Sequence, residues 1–168
     1  LTEEQGRNGV TLNDLIPFIG CSELDDGLVQ LLKSAGANIS SSLKKRVRSQ
    51  GVDGIELLAK GLALTFNERE DYINTYAEPK VDGEAILVAV FAYTSGKRFN
   101  PYTGPIPFTK GPVVNRNDTL RELGTPHRTE EEDGVIEWDQ WIKDGFQMRA
   151  RYRDDASVKI ISFTVPFK

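Results

Sequence analysis

What this chain has little of narrows its chemistry before any motif is considered. Its 168 residues include one cysteine, Cys21, and one histidine, His127. A single cysteine excludes an internal disulfide and leans towards a reducing compartment. A single histidine excludes an HExxH site, a paired-His metal site and a triad with a histidine to spare. No apolar run approaches the roughly 18 residues that would span a bilayer. No Gly-rich phosphate loop, Walker-type lysine or EF-hand spacing occurs. Positive charge is also short: 21 Lys and Arg stand against 25 Asp and Glu, for a net charge of -4. A nucleic-acid binder needs a basic surface to neutralise phosphates, so no nucleic-acid partner is expected. An acidic balance is compatible with a basic protein partner.

The start of the chain lacks a basic-then-apolar signal segment. The expected location is therefore cytoplasmic, without membrane association. The first residue is Leu1 rather than Met, and a signal peptide removed upstream of it would move that expectation to the periplasm. A hydrophobic share of 39% and a charged share of 27% are ordinary for a globular protein with a real core.

What is present reads as short helices and strands. Residues 1–10 are polar and Gly-containing, a mobile end. Thr11 with Asp14 resembles a capping box opening "LNDLIPFIG", which ends at Gly20 with Pro17 awkwardly inside. Ser22 with Asp25 repeats the start signal. Leu24, Leu28, Leu31, Leu32 and Ala35 then follow at helical spacing, with Gly36 as a left-handed stop. "NISSSLKKRVRSQGVDG" reads as a loop or a short helix through Leu43 and Val47. "GLALTFNE" alternates Leu62, Leu64 and Phe66 on one face of a strand. "EAILVAVFAYTSG" reads as a central strand closed by Ser95 and Gly96. The Pro- and Gly-rich residues 97–114 form an extended crossover.

Asn115 with Asp118 makes a second clear helix start, with Leu120 and Leu123 as its apolar edge and Gly124 and Pro126 as its stop. Three strands follow: "VIEWDQWI", "FQMRARYR" and "SVKIISFTV". Asp144–Gly145 and "DDAS" are their turns, so they form an antiparallel meander. A helix barely two turns long cannot stand alone in water, so it is expected to pack on the Phe146/Met148/Tyr152 face of that meander. The fold class is thus α+β, short helices on antiparallel sheet. Residues 11–96 form a first unit and residues 115–168 a second, separate or within one continuous domain. "LKSAG" at 32–36 and "LRELG" at 120–124 spell matching helix ends, which makes a degenerate repeat of helix-plus-meander plausible.

"RNDTLRELGTP", the Trp-containing strand after it and "VKIISF" resemble a pattern in bacterial polymorphic-toxin and bacteriocin immunity proteins. There a helix ending in Leu-Gly-x-Pro, here Leu123, Gly124 and Pro126, precedes an antiparallel sheet, and an earlier strand resembles "GLALTF". The order of units is also similar to that of the outer-membrane assembly lipoprotein BamE and the β-lactamase inhibitory protein. No lipobox is visible near the start, and the first half lacks the Gly-x-Pro ending. The first resemblance implies a non-enzymatic immunity protein that blocks a cognate toxin, a nuclease-type effector with a basic domain. The second implies a cell-envelope scaffold or protein inhibitor.

The residues themselves suggest where a partner would bind. Glu130, Glu131, Glu132 and Asp133 form a solvated acidic loop, extended by Glu137 and Asp139 on the next strand. Such charges raise association rates and select a basic partner. Consecutive carboxylates wrap an ion poorly, so no metal and no cofactor are expected. Strand phase puts Trp138 with Ile136 and Ile142 in the core. It leaves Trp141 outward as an interface anchor unless a neighbouring strand or the crossover covers it. Arg149, Arg151 and Arg153 would line the outer face and pair with Glu137 and Asp139 across the sheet. Cys21 is expected to be a buried apolar residue and His127 an exposed loop residue. A small enzyme using both would require Cys21 to be exposed near His127. "NIS" and "NDT" match glycosylation triplets that arise by chance.

Overall fold

Among the described residues seven strands collect the apolar alternation of the sequence into one antiparallel sheet, against whose core the helices pack. The computed structural model describes residues 9–94, 96 and 98–168. Most of the expected mobile end, residues 1–8, and Ser95 of the expected Ser95–Gly96 stop lie outside the described residues. Val10 belongs to the core at 7% exposure, so the expected mobile end does not extend to it.

Helix α1 (Leu12–Leu15) starts on the expected Thr11/Asp14 capping box and passes into a 3-10 turn, Ile16–Phe18, that accommodates Pro17. Helix α2 spans Asp26–Ser34 and is capped by Asp25, whose Oδ1 accepts from the Leu28 N–H at 2.8 Å. Ser22 is not the cap; its hydroxyl donates to the Asp82 carbonyl. Leu24 consequently falls before the helix and is exposed. Helix α3 (Ser41–Gln50) is a full ten residues, longer than the basic stretch suggested. Ser40 caps it, Leu43 and Val47 are its buried stripe, and Gly51 closes it in the left-handed region at φ 85°.

Strand β1 (Val52–Leu57) follows directly and was not apparent in the sequence. It is an edge strand with little alternation of polarity. Strand β2 (Leu62–Glu68) buries Leu62, Leu64 and Phe66 together, as expected. Helix α4 (Arg69–Thr75) and strand β3 (Ala85–Tyr93) complete the first half. Helix α5 (Arg116–Leu123) has the expected Asn115/Asp118 capping box. The second half then adds β4 (Arg128–Glu132), β5 (Val135–Lys143), β6 (Phe146–Tyr152) and β7 (Val158–Thr164).

Strand order is β1-β2-β3-β7-β6-β5-β4, so the last strands of the two halves meet at the centre. The second half is a four-stranded meander rather than the three strands expected. The stretch taken for an acidic loop is strand β4, turned by Asp133–Gly134. Both turn residues have positive φ, 52° and 81°, and Asp144–Gly145 repeats this at 49° and 80°. That pair of angles defines the tight hairpin turn whose twist matches the strands.

One face of the sheet carries the main core. Leu12, Leu15, Leu28, Leu32, Leu43 and Val47 pack there with Phe66, Leu87 and Val90 in the first half. Leu123 of α5 packs in the same core as Trp141, Met148, Tyr152 and Phe163 of the second. The expected docking of α5 on the Met148/Tyr152 face is therefore what the fold contains. The opposite, outer face is covered at one corner. There Tyr72 of α4 packs with Ile86, Val88 and Ala89, with Tyr76 and Phe91 against them. No helix among the described residues is long and apolar enough to cross a membrane.

Candidate functional site

The second-half meander places two clusters of polar side chains back to back, and a bulge in β5 decides which residue joins which. Glu130 pairs with Trp138 and Glu131 with Ile136, so Glu137 is an extra residue without a partner on β4. A bulge interrupts the two-residue alternation of a strand. Beyond it, Asp139 pairs with Ala150 and Trp141 with Met148 on the core face, while Trp138 and Gln140 pair with Arg151 and Arg149 on the outer face.

The phase expected for the tryptophans is thereby reversed. Trp141 is 2% exposed, packed in the core, and its indole N–H donates to the Gly124 carbonyl at 3.0 Å. That bond ties β5 to the end of α5 and satisfies a terminal carbonyl. Trp138 lies on the outer face beneath two guanidinium groups, Arg149 at 3.9 Å and Arg128 at 5.3 Å from its ring centroid. Ile142 is exposed instead of buried. Trp141 therefore offers no surface to a partner.

Asp139 is also withdrawn, with 0% exposure on the core face. Arg116 of α5 grips it with Nε at 2.8 Å from Oδ2 and Nη2 at 3.2 Å from Oδ1. Thr129 donates to Oδ1 at 2.6 Å and the Tyr152 hydroxyl to Oδ2 at 2.7 Å. Thr119 stands 2.7 Å from the Tyr152 oxygen. Burial pushes the Asp139 carboxyl upwards. Hydrogen bonds from Arg116, Thr129 and Tyr152 outweigh that and hold it below the usual carboxylate range. Tyr152 is pushed up, first by burial and further by donating to Asp139. The cluster is a fully partnered buried network that locks α5 and β4 to the sheet, the arrangement in which a buried charge is tolerated. Arg116 and Thr119 were not singled out in the sequence, and Tyr152 only as part of the apolar face under the helix, because their partner lies across the sheet or on another element.

The cross-strand pairing expected of the outer arginines with Glu137 and Asp139 does not form, since Glu137 is the bulge and Asp139 points to the core face. Arg149 instead stacks on Trp138, and its Nη2 donates to Gln140 Oε1 at 2.8 Å. Its Nε is shielded from solvent and has no hydrogen-bond partner among the described residues. Desolvation, followed by the charges of Arg151 and Arg128, lowers the Arg149 pKa, with Glu130 opposing. Arg153 donates to Ser157 Oγ and to the Val158 carbonyl in the β6–β7 turn.

The remaining predicted contact residues stay at the surface. Glu130, Glu131, Glu132 and Asp133 are exposed along the edge strand β4 and its turn, and Glu137 is half-buried at the bulge. Among the described residues, one ion pair reaches this group, Arg128 Nη2 to Glu130 Oε2 at 3.8 Å. The hairpin is therefore a ridge of carboxylates with little internal compensation.

Cys21 is buried beside Val81, and burial pushes its thiol up, with the charge of Asp25 adding to that. A thiol so placed is a poor source of thiolate. His127 is exposed and its backbone N–H donates to the Gln140 carbonyl at 2.7 Å. Among the described residues no group of three or more His, Cys, Asp or Glu is placed to hold a metal ion.

Comparison with known proteins adds little. No family model matches the chain, and no curated protein matches it. Among solved structures, a DUF4309 family protein (YjgB) from Bacillus subtilis is similar over 64% of this chain at 9% identity and a TM-score of 0.36. The chain spans 59% of that protein's length. A likeness at that level carries no inference about fold or activity.

Proposed function

We propose that this chain is an immunity-type binding protein that neutralises a basic toxin domain, of the nuclease-effector kind, by stoichiometric blockade and without turnover of its own. The observation that supports this most directly is the β4–β5 hairpin. Four successive carboxylates, Glu130 to Asp133, stand exposed on an edge strand and its turn, and Glu137 lies half-buried at the bulge beside them. A nuclease surface that holds phosphates is basic, and a preformed acidic ridge complements it at little ordering cost. The Asp139 network supports the ridge from beneath, so its backbone is fixed before any partner arrives. Trp141 and Asp139, buried, serve as its foundation rather than as contacts.

The edge position suits this role. An exposed strand edge invites unwanted pairing, and a run of glutamates discourages self-association while still attracting a cationic partner. A cytoplasmic setting fits a protein that guards against an internal nuclease.

The test is capture of partners by the tagged chain from its own organism, with neighbouring genes intact, followed by mass spectrometry. A single toxin protein with a basic domain, co-eluting near one-to-one and lost when Glu130 to Asp133 are changed to Lys, is the expected result. Capture of cell-envelope assembly proteins instead, or capture indifferent to those changes, would overturn the proposal and favour an envelope scaffold.

A further inference from the structure

The outer sheet face carries a cluster whose charge is opposite to that of the hairpin. Strand register runs one row across all seven strands: Glu56, Ala63, Phe91, Ser162, Arg149, Gln140 and Arg128. In the adjacent row Glu130, Trp138 and Arg151 stand side by side. Two guanidinium groups thus lie over one indole, and Arg151 is its cross-strand neighbour. Arg149 and Arg151 take part in no ion pair among the described residues, and Arg128 has a single long contact to Glu130. Arg149 is the most confined of the three. Its planar group lies on Trp138, one nitrogen holds Gln140, and another is shielded and unsatisfied.

Like charges gathered with Glu130 as their one neighbouring counter-charge are unfavourable, and stacking on Trp138 offsets this only in part. A local arrangement that costs stability marks a place where something else is recognised. Stacking also fixes the plane of the Arg149 guanidinium, so that with Nε shielded a carboxylate approaches it from the Nη end. The helix α4 corner leaves this part of the face open: Arg151 is exposed, and Arg149, Ile160 and Ser162 are half-exposed. Along the row the surface continues past Ser162 to Phe91, where Thr65, Tyr93 and Phe99 line an open depression.

We propose that this outer face is a docking site for a short acidic segment of a partner polypeptide, whose carboxylates are received by Arg128, Arg149 and Arg151 around Trp138. The extent of the positive patch selects such a segment over a polyphosphate. Neighbouring strands lie about 4.8 Å apart, so Arg128 and Arg149, two strands apart, are separated by about 10 Å. Glu130–Glu132 border the patch on one side and Glu56 ends the row on the other. A nucleic-acid strand would run from the arginines into these carboxylates, whereas an extended segment of a few acidic residues fits between them. The site adjoins the carboxylate ridge at Glu130 but takes a ligand of opposite sign, and it does not depend on the ridge having a toxin partner.

A fluorescein-labelled hexaglutamate peptide tests this directly, titrated into the full chain at low salt and followed by anisotropy. Hexaglutamine and a thymidine hexanucleotide serve as comparisons. Saturable binding of hexaglutamate above both comparisons is expected, weakened by about tenfold in Arg149→Met. Arg151→Gln, at an exposed position, should weaken it in the same sense and covers the case in which Arg149→Met fails to fold. The double change Glu131→Lys/Glu132→Lys should leave this binding intact or strengthen it, although it removes the ridge that the toxin reading needs. No saturation by hexaglutamate, equal binding by the arginine variants, or tighter binding of the oligonucleotide would each overturn the proposal.

Discussion

The two faces of β5 and β6 carry the same kinds of side chain, an arginine, an aromatic ring and a polar partner, with opposite outcomes. On the core face Arg116 meets Asp139, and every polar atom named there has a partner. On the outer face Arg149 meets Trp138 and Gln140, keeps an unsatisfied nitrogen and is surrounded by like charge. The first arrangement holds elements together. The second forgoes stability at a place open to solvent. The contrast separates residues that build the fold from residues free to recognise something, and it can be broken from either side.

The largest effect should come from the tryptophans. Trp141→Ala removes a ring buried in the core and the bond to Gly124, and should cost about 4 kcal/mol of unfolding free energy, measured by urea denaturation. Trp138→Ala, on the outer face and 9% exposed beneath its arginines, should cost less, about 2–3 kcal/mol. Equal costs, or the reverse order, would mean that the strand phase set by the Glu137 bulge is not the one in solution.

Asp139→Ala comes next. It leaves Arg116 and Tyr152 facing a gap, and breaking a buried pair by removing one partner should cost about 3 kcal/mol. The acid limb of stability belongs to the same residue. The folded carboxyl of Asp139 lies below its unfolded value of about 3.9. Its contribution is therefore complete above that value and is lost as pH falls through the lower folded pKa. Stability measured below about pH 4 should fall more steeply in the wild-type chain than in Asp139→Asn, which has no proton to take up there. Parallel acid curves for the two would remove Asp139 from this role.

These contrasts also show where the sequence spoke plainly. Caps written in adjacent residues, Thr11 with Asp14 and Asn115 with Asp118, were readable because their physics is local. Asp144–Gly145 was readable for the same reason. The apolar alternation of Leu62, Leu64 and Phe66 told its face correctly, since the register shift between Thr65 and Phe66 places its extra residue, Val88, on β3 and not among them. In β5 the same logic failed, because one extra residue at Glu137 inverts everything on one side of it and nothing in "VIEWDQWI" announces a bulge. Strand β4 was hidden by its charge: five exposed residues at an edge need no apolar pattern. The Arg116–Asp139 pair spans 23 residues, and the outer arginine cluster needs three strands in register before it exists.

Surface changes on the ridge should be nearly silent for the fold. Glu131→Lys/Glu132→Lys alters exposed side chains that make no ion pair among the described residues. It should shift unfolding free energy by less than about 0.5 kcal/mol per site. A larger loss would make the ridge a structural part of the sheet instead of a presented surface.

The smallest expected change has the most telling sign. Arg149→Met keeps a long flexible side chain over Trp138 while removing the charge and the unsatisfied Nε. A residue held for stability would destabilise the chain when removed, as Asp139 should. For Arg149 the opposing terms nearly cancel: the stacking energy and the Gln140 bond are lost, and the desolvation of a cation and its repulsion from Arg151 and Arg128 are relieved. The expected result is a midpoint unchanged or raised, with unfolding free energy higher by up to about 0.5 kcal/mol, alongside the loss of acidic-peptide binding. That pairing, more stable and less able to bind, is the mark of a residue kept for recognition. A clear destabilisation of 2 kcal/mol or so would instead make Arg149 a second structural arginine, and the two faces of the meander would then differ in geometry alone.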